Sequence, residues 1–464
     1  MTTRREILAA GTSLLGLTAL PAIAGSRRSR TSSDFVTVAG HGFRLHGKPY
    51  RYVGANMWYA AYLGADTAYG DRARLGRELD RLVALGIDNV RVLGASEDSP
   101  LIGAISPAFR GKTDVYNPDL LAGLDWFLAE LGKRGMRAVI YLNNFWEWSG
   151  GMMTYLSWVN GGKYIDAHDP AHPWPEFADY TAGFYTHPRA VALYHAYVCA
   201  LVGRTNGVTG RRYADDPAIM AWQLANEPRP GESPATTARI LPAYQAWIRK
   251  TARLIRSIDA NHLVSSGAEG TIGCANSMAC VADAAAPVDY MTIHIWPQNF
   301  GWIDPADLAG TRAVGEAKTL AYIRDHRALA VKLGKPLVIE EFGYPRDAGY
   351  APGTPTIHRD GYYRLIMESV AADARAGGPL AGLNFWAWNG EGRAQHPDHR
   401  FRTGDRSYLG DPPHEPQGWY GVFDQDMTTK RLIRRYATAF ARSAEAALGH
   451  VNPAIAWPIC RLAL

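Results

Sequence analysis

The sequence of 464 residues is 47% hydrophobic and 20% charged, with 14 Trp and 24 Tyr, so it can bury a large core and is expected to be globular. A net charge of +5 spread over this length, with no sustained run of Lys and Arg, argues against a nucleic-acid partner. Length alone allows one to three domains, and the pattern along the chain has to decide between them.

The first 24 residues have the pattern of an export signal. Arg4 and Arg5 precede a short apolar stretch, residues 7–20, and the small-residue site Ala22-Ile23-Ala24 follows. The stretch is shorter than the roughly 20 residues of a membrane span, so a secretory signal is favoured over an anchor. The adjacent arginines resemble the twin-arginine type. We expect cleavage near Ala24, export to the periplasm or the extracellular medium, and no stable membrane anchor.

Residues 25–34 are predicted to be a polar linker, and residues 35–464 a single domain that begins with a hairpin. Short β-branched runs then recur, and each is followed by a polar loop and a helical pattern. Eight such candidate strands cover residues 50–57, 87–94, 136–144, 218–227, 262–270, 290–296, 336–343 and 381–388. Continuous apolar strands that alternate with helices predict an α/β fold, a (β/α)₈ TIM barrel. An open doubly wound sheet is disfavoured, because no glycine-rich phosphate motif follows the first strand.

Two connections are predicted to be oversized loops, residues 145–217 after the third strand and residues 389–427 after the eighth. Both follow the C-terminal ends of strands, where barrel enzymes build their active sites. Cys274 and Cys280 flank a short loop that could close as a disulfide in an oxidising compartment, and two free buried thiols are the alternative. None of the four cysteines has the spacing of metal ligands, and no metal or cofactor is expected.

Acidic residues end two of the predicted strands. Glu227 closes the fourth strand, and Glu340 and Glu341 close the seventh. Because side chains alternate along a strand, only one of the last two is expected to face the barrel axis. Strands four and seven face each other across the mouth of a ring of eight. Two carboxylates that straddle a cleft are what glycoside hydrolysis needs, with the pKa of the acid raised by its neighbour.

Further polar and aromatic residues fall at the same end of the predicted barrel. Arg91, Asn226 and His294 each end a strand, where one alone could be a buried structural residue but the three together favour a site. Tryptophans suit a groove that binds sugar rings, although they are also ordinary in cores. Eight lie at or just after strand ends: Trp146, Trp148, Trp158, Trp296, Trp302, Trp386, Trp388 and Trp419.

The motifs "WQLANEP", "VIEEFG", "RVLG", "HIW" and "NFWAW" together resemble glycoside hydrolase family 5, in the clan of retaining (β/α)₈ glycosidases. The resemblance extends from about Phe35 to Phe440. Within the family, "YLNNFWEWSGGMMTYLSWVNGG" and "GVFDQDMTT" are most similar to the endo-β-1,4-mannanase group. The resemblance implies that Glu227 is the acid/base and Glu341 the nucleophile, with Glu340 pointing away.

The same resemblance implies the residues that bind the substrate. Arg91 and Asn226 would hold the nucleophile and a sugar hydroxyl, and His294 would lie near the acid/base. Trp386 would be the platform under the sugar whose bond is broken. Trp146, one of the tryptophans at the predicted strand ends, is expected to contact substrate because of that position. Trp296 stands where many members have tyrosine, and an indole there can stack or donate but cannot accept.

The predicted function is a secreted enzyme that cleaves internal β-1,4-mannosidic bonds in mannan, glucomannan or galactomannan with retention of configuration. Retention predicts carboxyl groups about 5–5.5 Å apart. A polysaccharide is the expected partner and a monomer the expected state. The alternatives are a β-1,4-glucanase of the same family and, from another class, a non-catalytic carbohydrate-binding barrel. The long loops after strands three and eight could narrow one end of the groove and shift the enzyme toward short oligosaccharides.

Overall fold

The computed structural model describes residues 34–113 and 115–446, with side chains as far as residue 441. The predicted signal (1–24), the linker up to residue 33 and Cys460 lie outside the described residues. Within the described part, no helix combines the length and the apolar character that crossing a bilayer requires.

Eight parallel strands form one sheet in the spatial order β5-β4-β3-β2-β1-β8-β7-β6. The first and last strands of the chain pair with each other, as Val53 does with Leu383, and so begin to close the ring. Between β5 and β6, the amide of His294 donates to the carbonyl of Glu269 (3.1 Å). The predicted barrel and its eight strands are therefore confirmed. The strands are β1 Tyr52–Asn56, β2 Asn89–Leu93, β3 Arg137–Tyr141, β4 Ile219–Gln223, β5 Leu263–Ser265, β6 Met291–Ile295, β7 Leu337–Phe342 and β8 Leu380–Phe385.

One helix returns from each strand to the next. Several begin at a residue whose side chain accepts a hydrogen bond from a first-turn amide, for example Asp71 from Arg74 N (2.8 Å) and Asp307 from Gly310 N (2.9 Å). The helices are α1 Arg72–Ala84, α2 Pro118–Lys133, α3 Pro188–Val202, α4 Pro234–Ile258, α5 Met278–Ala285, α6 Leu308–Leu333, α7 Ile357–Arg375 and α8 Met427–Ala446.

Three short antiparallel strands precede the barrel, as the predicted hairpin requires: Thr37–Ala39, Gly42–Leu45 and Lys48–Tyr50. Phe43 of this sheet packs against Tyr290, which directly precedes β6 (ring centroids 5.4 Å). The small sheet thus covers the N-terminal end of the barrel and leaves the C-terminal end to the loops.

The connection after β3 differs from the prediction of one oversized loop over residues 145–217. It contains two short helices, Gly151–Val159 and Glu176–Thr181, and then the barrel helix α3. The continuous apolar face of α3 was hidden among the many aromatic and histidine residues of this segment. The connection after β8 is long, as predicted, and it contains a two-stranded ladder between Trp388–Gly390 and Val422–Phe423.

Buried charge anchors the far end of the β8 connection. Arg346 Nη1 donates to Asp426 Oδ1 (3.0 Å), and Arg359 Nη2 donates to Asp426 Oδ2 (2.8 Å). All three side chains are buried, so the bidentate pairing satisfies charges that would otherwise be costly in the interior. The end of the β8 connection is therefore held in place directly before α8.

Candidate active site

A cleft of about 660 Å³ opens at the C-terminal end of the barrel, lined by the loops that follow β3 to β8. Six of the eight site residues predicted from the sequence line it, and the other two, Arg91 and His294, are fully buried and do not line it. The six are Trp146, Asn226, Glu227, Trp296, Glu341 and Trp386. The structure thus brings together, around one cavity, residues that lie up to 240 positions apart (386 − 146 = 240) in the sequence.

Glu227 lies just beyond β4 in a left-handed backbone conformation (φ 49°), which residues other than glycine rarely adopt. Its amide donates to the carbonyl of Gly267 (2.9 Å), which anchors the turn to the β5 strand end. Its carboxylate has two partners: Oε1 is 2.7 Å from His294 Nδ1, and Oε2 accepts from Trp146 Nε1 (2.5 Å). The side chain is therefore fixed in one orientation at the cleft.

Glu341 ends β7 on the other side of the cleft floor. Oε1 accepts a hydrogen bond from Arg91 Nη1, and Oε2 accepts one from Trp296 Nε1 (3.2 Å). The same Oε2 lies 3.4 Å from His294 Nδ1. Trp296 therefore serves as a donor to the carboxylate, one of the two uses that the sequence left open, and its ring also lines the cleft.

The two carboxylates are close. One oxygen of Glu227, one of Glu341 and a ring nitrogen of His294 all lie within 4.8 Å of one another. These donor types could in principle hold a cation, but the guanidinium of Arg91 already neutralises Glu341. Retaining pairs of carboxyl groups stand about 5–5.5 Å apart and inverting pairs about 6.5–9.5 Å, and oxygens that approach within 4.8 Å are compatible with the shorter separation.

Arg91 connects the residues below the cleft. Its side chain is fully buried, with Nε donating to Gln223 (2.9 Å), Nη1 to Asn56 (3.2 Å) and Nη2 to Asn226 Oδ1 (2.7 Å). The guanidinium also lies 4.5 Å from the ring centroid of Tyr141. Arg91 therefore orients Asn226 and Glu341 at the same time.

Glu340 corrects one expectation. Alternation along β7 predicted that only one of Glu340 and Glu341 reaches the barrel interior, with Glu340 pointing away. Instead Glu340 Oε2 accepts from Gln223 Nε2 (2.6 Å) and lies 3.6 Å from Arg91 Nε. The register of β7 against β6 shifts between Ile339 and Glu341, so strict alternation does not hold there. Glu340 is fully buried beneath the cleft, whereas Glu341 lines it.

Burial and mutual charge set the pKa values of the three central groups. Burial raises the pKa of Glu341 to about 7, although the charges of His294 and Arg91 oppose it. Burial alone would lower the pKa of His294, but the carboxylates of Glu341 and Glu227 outweigh it and raise the pKa to about 10. The groups therefore titrate as one coupled set, with an imidazolium at neutral pH.

The pKa of Glu227 is lowered, whereas the sequence analysis expected the second carboxylate to raise it. Burial does raise the pKa, but the hydrogen bond and the charge of His294, together with the charge of Arg229, outweigh burial and hold it below its ordinary value. The proton expected on Glu227 is therefore held at His294 Nδ1, 2.7 Å away. Sequence reasoning missed this because it placed His294 near the acid without knowing that the two would share a hydrogen bond.

A buried ion pair behind Glu227 was not predicted. Arg229 Nε donates to Glu269 Oε1 (2.6 Å), and its Nη2 donates to Glu269 Oε2 (3.0 Å). The guanidinium lies 5.1 Å from the ring centroid of Trp146, whose indole donates to Glu227. Arg229 was visible in the motif "NEPRP", directly beyond the acid, and that position is the only signal the sequence offered.

Four of the eight tryptophans that the sequence singled out line the cleft: Trp146, Trp148, Trp296 and Trp386. The others lie elsewhere, and buried Trp388, for example, donates to Glu78 Oε2 (2.9 Å). Trp174 lines the cleft although it was not singled out, and its ring stacks on that of Trp146 (centroids 6.1 Å). Trp174 comes from a loop distant from any strand end, where position along the chain gives no signal.

A cluster of charged residues, Glu147, His168, His414 and Glu415, lines another part of the cleft and was also not predicted. Glu147 Oε1 lies 3.1 Å from His414 Nδ1 and 3.2 Å from His168 Nε2. Burial lowers the pKa of His414, but Glu147 outweighs it and raises the pKa to about 10. The cluster, hereafter the charged wall, therefore joins the connections after β3 and β8 by an ion pair.

The model of a family described as GH family 5 β-mannosidase-like matches residues 33–445. Among curated proteins, the chain is 31% identical over 378 residues to putative mannan endo-1,4-β-mannosidase 9 of Oryza sativa subsp. japonica, covering 78% of this chain and 83% of that protein. It is 30% identical over 390 residues to mannan endo-1,4-β-mannosidase 1 of Arabidopsis thaliana, covering 79% and 85%.

Solved structures give the same grouping. The glycoside hydrolase family 5 mannosidase from Rhizomucor miehei superposes with a TM-score of 0.81 at 33% identity, covering 90% of this chain and 100% of that one. A variant of that protein was solved in complex with mannosyl-fructose. The endo-1,4-β-mannanase from Rhizomucor miehei has a TM-score of 0.64 at 23% identity and shows the shared fold.

Gly343 has a packing role that substitution can test. A Cβ at this position would lie 2.4 Å from Cζ3 of Trp296, so Gly343→Ala should displace the indole and weaken its hydrogen bond to Glu341. We expect a loss of about 1–3 kcal/mol in the free energy of unfolding, measured by urea denaturation. Gly42→Ala is the control, because nothing lies within 4 Å of its Cβ position. Equal stability of the two variants would contradict this packing role.

Proposed function

We propose that this chain, which belongs to glycoside hydrolase family 5, hydrolyses β-1,4-mannosidic bonds with net retention of configuration. One observation carries the proposal: the oxygens of Glu227 and Glu341 approach within 4.8 Å at the floor of an aromatic cleft, each held by its own donors. Oxygens this close leave little room for the water that an inverting pair holds between its carboxyl groups, which supports the retaining mechanism.

Glu341 is the proposed nucleophile. It lines the cleft, whereas Glu340 lies beneath it, and it is held between Arg91 and Trp296. In the first step a Glu341 oxygen bonds to the anomeric carbon while the bond to the leaving oxygen breaks. Burial raises the pKa of the Glu341 carboxyl to about 7, and the positive charges of His294 and Arg91 oppose that rise, so the ionised form that attacks is populated from neutral pH upward.

Glu227 is the proposed acid/base. His294 Nδ1, 2.7 Å away, passes its proton to the Glu227 carboxylate, and Glu227 delivers that proton to the leaving oxygen as the glycosidic bond breaks, which leaves Glu227 ionised again. In the second step Glu227 accepts a proton from water as the water attacks the anomeric carbon and releases Glu341. Trp146, backed by Arg229, keeps the Glu227 carboxylate aimed at the cleft.

The substrate class follows from the relatives and agrees with the cleft. The curated relatives are named as mannan endo-1,4-β-mannosidases, and the Rhizomucor miehei mannosidase was solved with mannosyl-fructose. Trp146, Trp296 and Trp386 offer faces and edges on which sugar C–H groups can pack. A β-mannoside is thus favoured over a β-glucan, the rival that the sequence left open.

The charged wall supports attack near one end of a chain. Trp386 follows β8, and His414 and Glu415 belong to the same connection, so the wall shares a connection with the sugar platform. Gln417 Nε2 donates to the carbonyls of Asp411 and Pro412 (both 3.0 Å) and stiffens this loop. The leaving group departs on the side of Glu227. The wall is therefore proposed to stop the non-reducing end of the substrate.

Glu415 gives the wall a polar face toward the cleft. Its Oε2 is buried and has no hydrogen-bond partner within the described part of the chain, and the residue lines the cleft. Burial raises the pKa of Glu415. Such a group suits a hydroxyl of a terminal sugar, because an unpaired buried carboxyl is costly until something hydrogen-bonds to it. Short manno-oligosaccharides and chain ends are the proposed substrates.

Endo action is the second candidate. The sequence analysis predicted it, and the names of the curated relatives favour it. The chemistry of Glu227 and Glu341 is the same in both cases, so the position of the cleaved bond alone separates them.

Substitution of the two carboxylates tests the mechanism. Glu227→Gln should slow hydrolysis of mannotriose by about 10²–10⁴-fold, because the leaving oxygen loses its proton donor. With 4-nitrophenyl β-mannoside, whose leaving group needs little protonation, the variant should still give a burst of nitrophenol as the glycosyl-enzyme accumulates. Glu341→Ala should abolish both reactions.

Glu368→Gln, at an exposed position on α7, is the matched control and should leave both rates unchanged. Circular dichroism would establish that each variant is folded. Wild-type rates in either Glu227→Gln or Glu341→Ala would refute the assignment.

The pH profile tests the proton shared with His294. The nucleophile acts when ionised, so kcat/KM should fall as the pH drops through the pKa of Glu341, which is raised to about 7. His294→Asn keeps a donor but removes a positive charge, so the pKa of Glu341 should rise further and the acidic limb should move up by about one pH unit or more. His195→Asn, remote from the cleft, should leave the profile unchanged, and an unmoved limb in His294→Asn would argue against the coupling.

Product analysis separates the two modes of action. Mannohexaose labelled at its reducing end should first release unlabelled mannose and labelled mannopentaose, if the charged wall stops the non-reducing end. Initial products of intermediate length would instead establish endo action. Carboxymethyl cellulose serves as the comparison substrate, and faster turnover of it than of mannan would overturn the mannoside assignment.

A further inference from the structure

The loop after β5, residues 271–280, forms part of the cleft on the flank of Glu227. Ile272 and Asn276 of this loop line the cleft together with Arg229 and Glu232, which follow β4. β4 and β5 are neighbours in the barrel, and Glu227 is bonded through its amide to Gly267. The loop therefore borders the cleft beside Glu227, on the side toward which the leaving group departs in the proposed mechanism.

The conformation of this loop is unusual. Ala275 and Asn276 are consecutive residues with φ of 54° and 55°, the left-handed region that non-glycine residues rarely adopt. Such strain persists only where surrounding structure imposes it. The amide of Asn276 donates to the carbonyl of Thr271 (2.7 Å), and that of Ser277 donates to the carbonyl of Cys274 (3.0 Å). These bonds fold the loop back on itself beside the cleft.

A disulfide closes this turn. Cys274 and Cys280 are bonded, which confirms the disulfide that the sequence allowed, and their Cα atoms are 5.7 Å apart. The bond ties the turn to the first part of α5, whose first-turn amide at Cys280 donates to Ser277 Oγ (3.3 Å). The left-handed pair 275–276 lies inside the closed loop. The disulfide therefore fixes the position of Asn276 at the edge of the cleft.

Asn276 is free to bind a ligand. Asn276 is exposed and lines the cleft. Within the described part of the chain, the amide group of its side chain has no hydrogen-bond partner. Ile272 adds an apolar side chain to the cleft lining from the same loop, and its backbone amide donates to Tyr322 Oη (3.4 Å). An amide next to an apolar side chain matches a sugar ring, which presents hydroxyls at its rim and C–H groups on its face.

We propose that the loop closed by Cys274–Cys280 binds the sugar on the leaving-group side, with Asn276 bonded to its hydroxyls, and that the disulfide positions Asn276 for this contact. The inference rests on the proposed function. The inference adds two points to the proposed function: a residue that binds the leaving sugar, and a disulfide, hereafter the clamp, that positions this residue. Binding of the leaving sugar would then depend on whether the disulfide is oxidised or reduced. The chemistry at Glu227 and Glu341 does not depend on the clamp.

The test compares two substrates that share the mannosyl group and differ in the leaving group. Mannotriose has sugar on the leaving side, and 4-nitrophenyl β-mannoside has none. Asn276→Gly deletes the amide while accepting the left-handed backbone, so the loop should keep its shape. Asn276→Gly should raise KM for mannotriose by about tenfold, the change expected for the loss of hydrogen bonding to one sugar. KM for 4-nitrophenyl β-mannoside should change by no more than about twofold.

The double variant Cys274→Ser/Cys280→Ser, and wild type treated with tris(2-carboxyethyl)phosphine, should give the same selective rise in KM for mannotriose. Cys199→Ser is the matched control, since Cys199 is an exposed free thiol on α3 away from the cleft. Thermal unfolding followed by circular dichroism would report whether each variant is folded.

Two results would overturn the inference. One is an unchanged mannotriose KM in Asn276→Gly. The other is an equal loss on both substrates when the disulfide is removed, which would mean that the clamp serves stability alone. Failure of the proposed function would look different, because wild type would then hydrolyse neither substrate.

Discussion

The site depends on one buried cation. Arg91 has no exposed surface, and a guanidinium in that position is tolerated only when its donors and its charge are satisfied. It donates to three side-chain amide oxygens, those of Asn56 on β1, Gln223 on β4 and Asn226 just beyond β4. It also donates to the carboxylate of Glu341 near the end of β7. Because its fork is rigid, these strand ends are held in one arrangement, and its positive charge opposes the rise that burial causes in the pKa of the nucleophile.

His294 couples the two halves of the catalytic pair. Its Nδ1 lies 2.7 Å from Glu227 and 3.4 Å from Glu341, so a single proton at this nitrogen affects both carboxylates. The free protein therefore stores the proton on the histidine and not on the acid.

The barrel and its loops divide the work. The strand ends carry the pair of acids and their donors, while the connections after β3 and β8 build the charged wall and the β5 loop borders the cleft beside Glu227. A wall made of an ion pair and a turn closed by a disulfide are both rigid, which suits binding of a short substrate in one register. Export, predicted from residues 1–24, stays a prediction, and the disulfide is of the kind that an oxidising compartment preserves.

The sequence by itself determined the barrel, its eight strands and the residues at their ends, because apolar runs and helical periodicity are local properties that follow from burial on both faces of a parallel sheet. Motif positions and the family resemblance were enough to pick out Glu227, Glu341, Arg91, Asn226, His294 and the aromatic residues. Only the tertiary structure decided the rest. A register shift brought Glu340 inside, a shared hydrogen bond moved the proton to His294, and loops from distant strands assembled the Arg229–Glu269 pair and the charged wall. These contacts join residues far apart in the chain, and no local pattern encodes which of them meet.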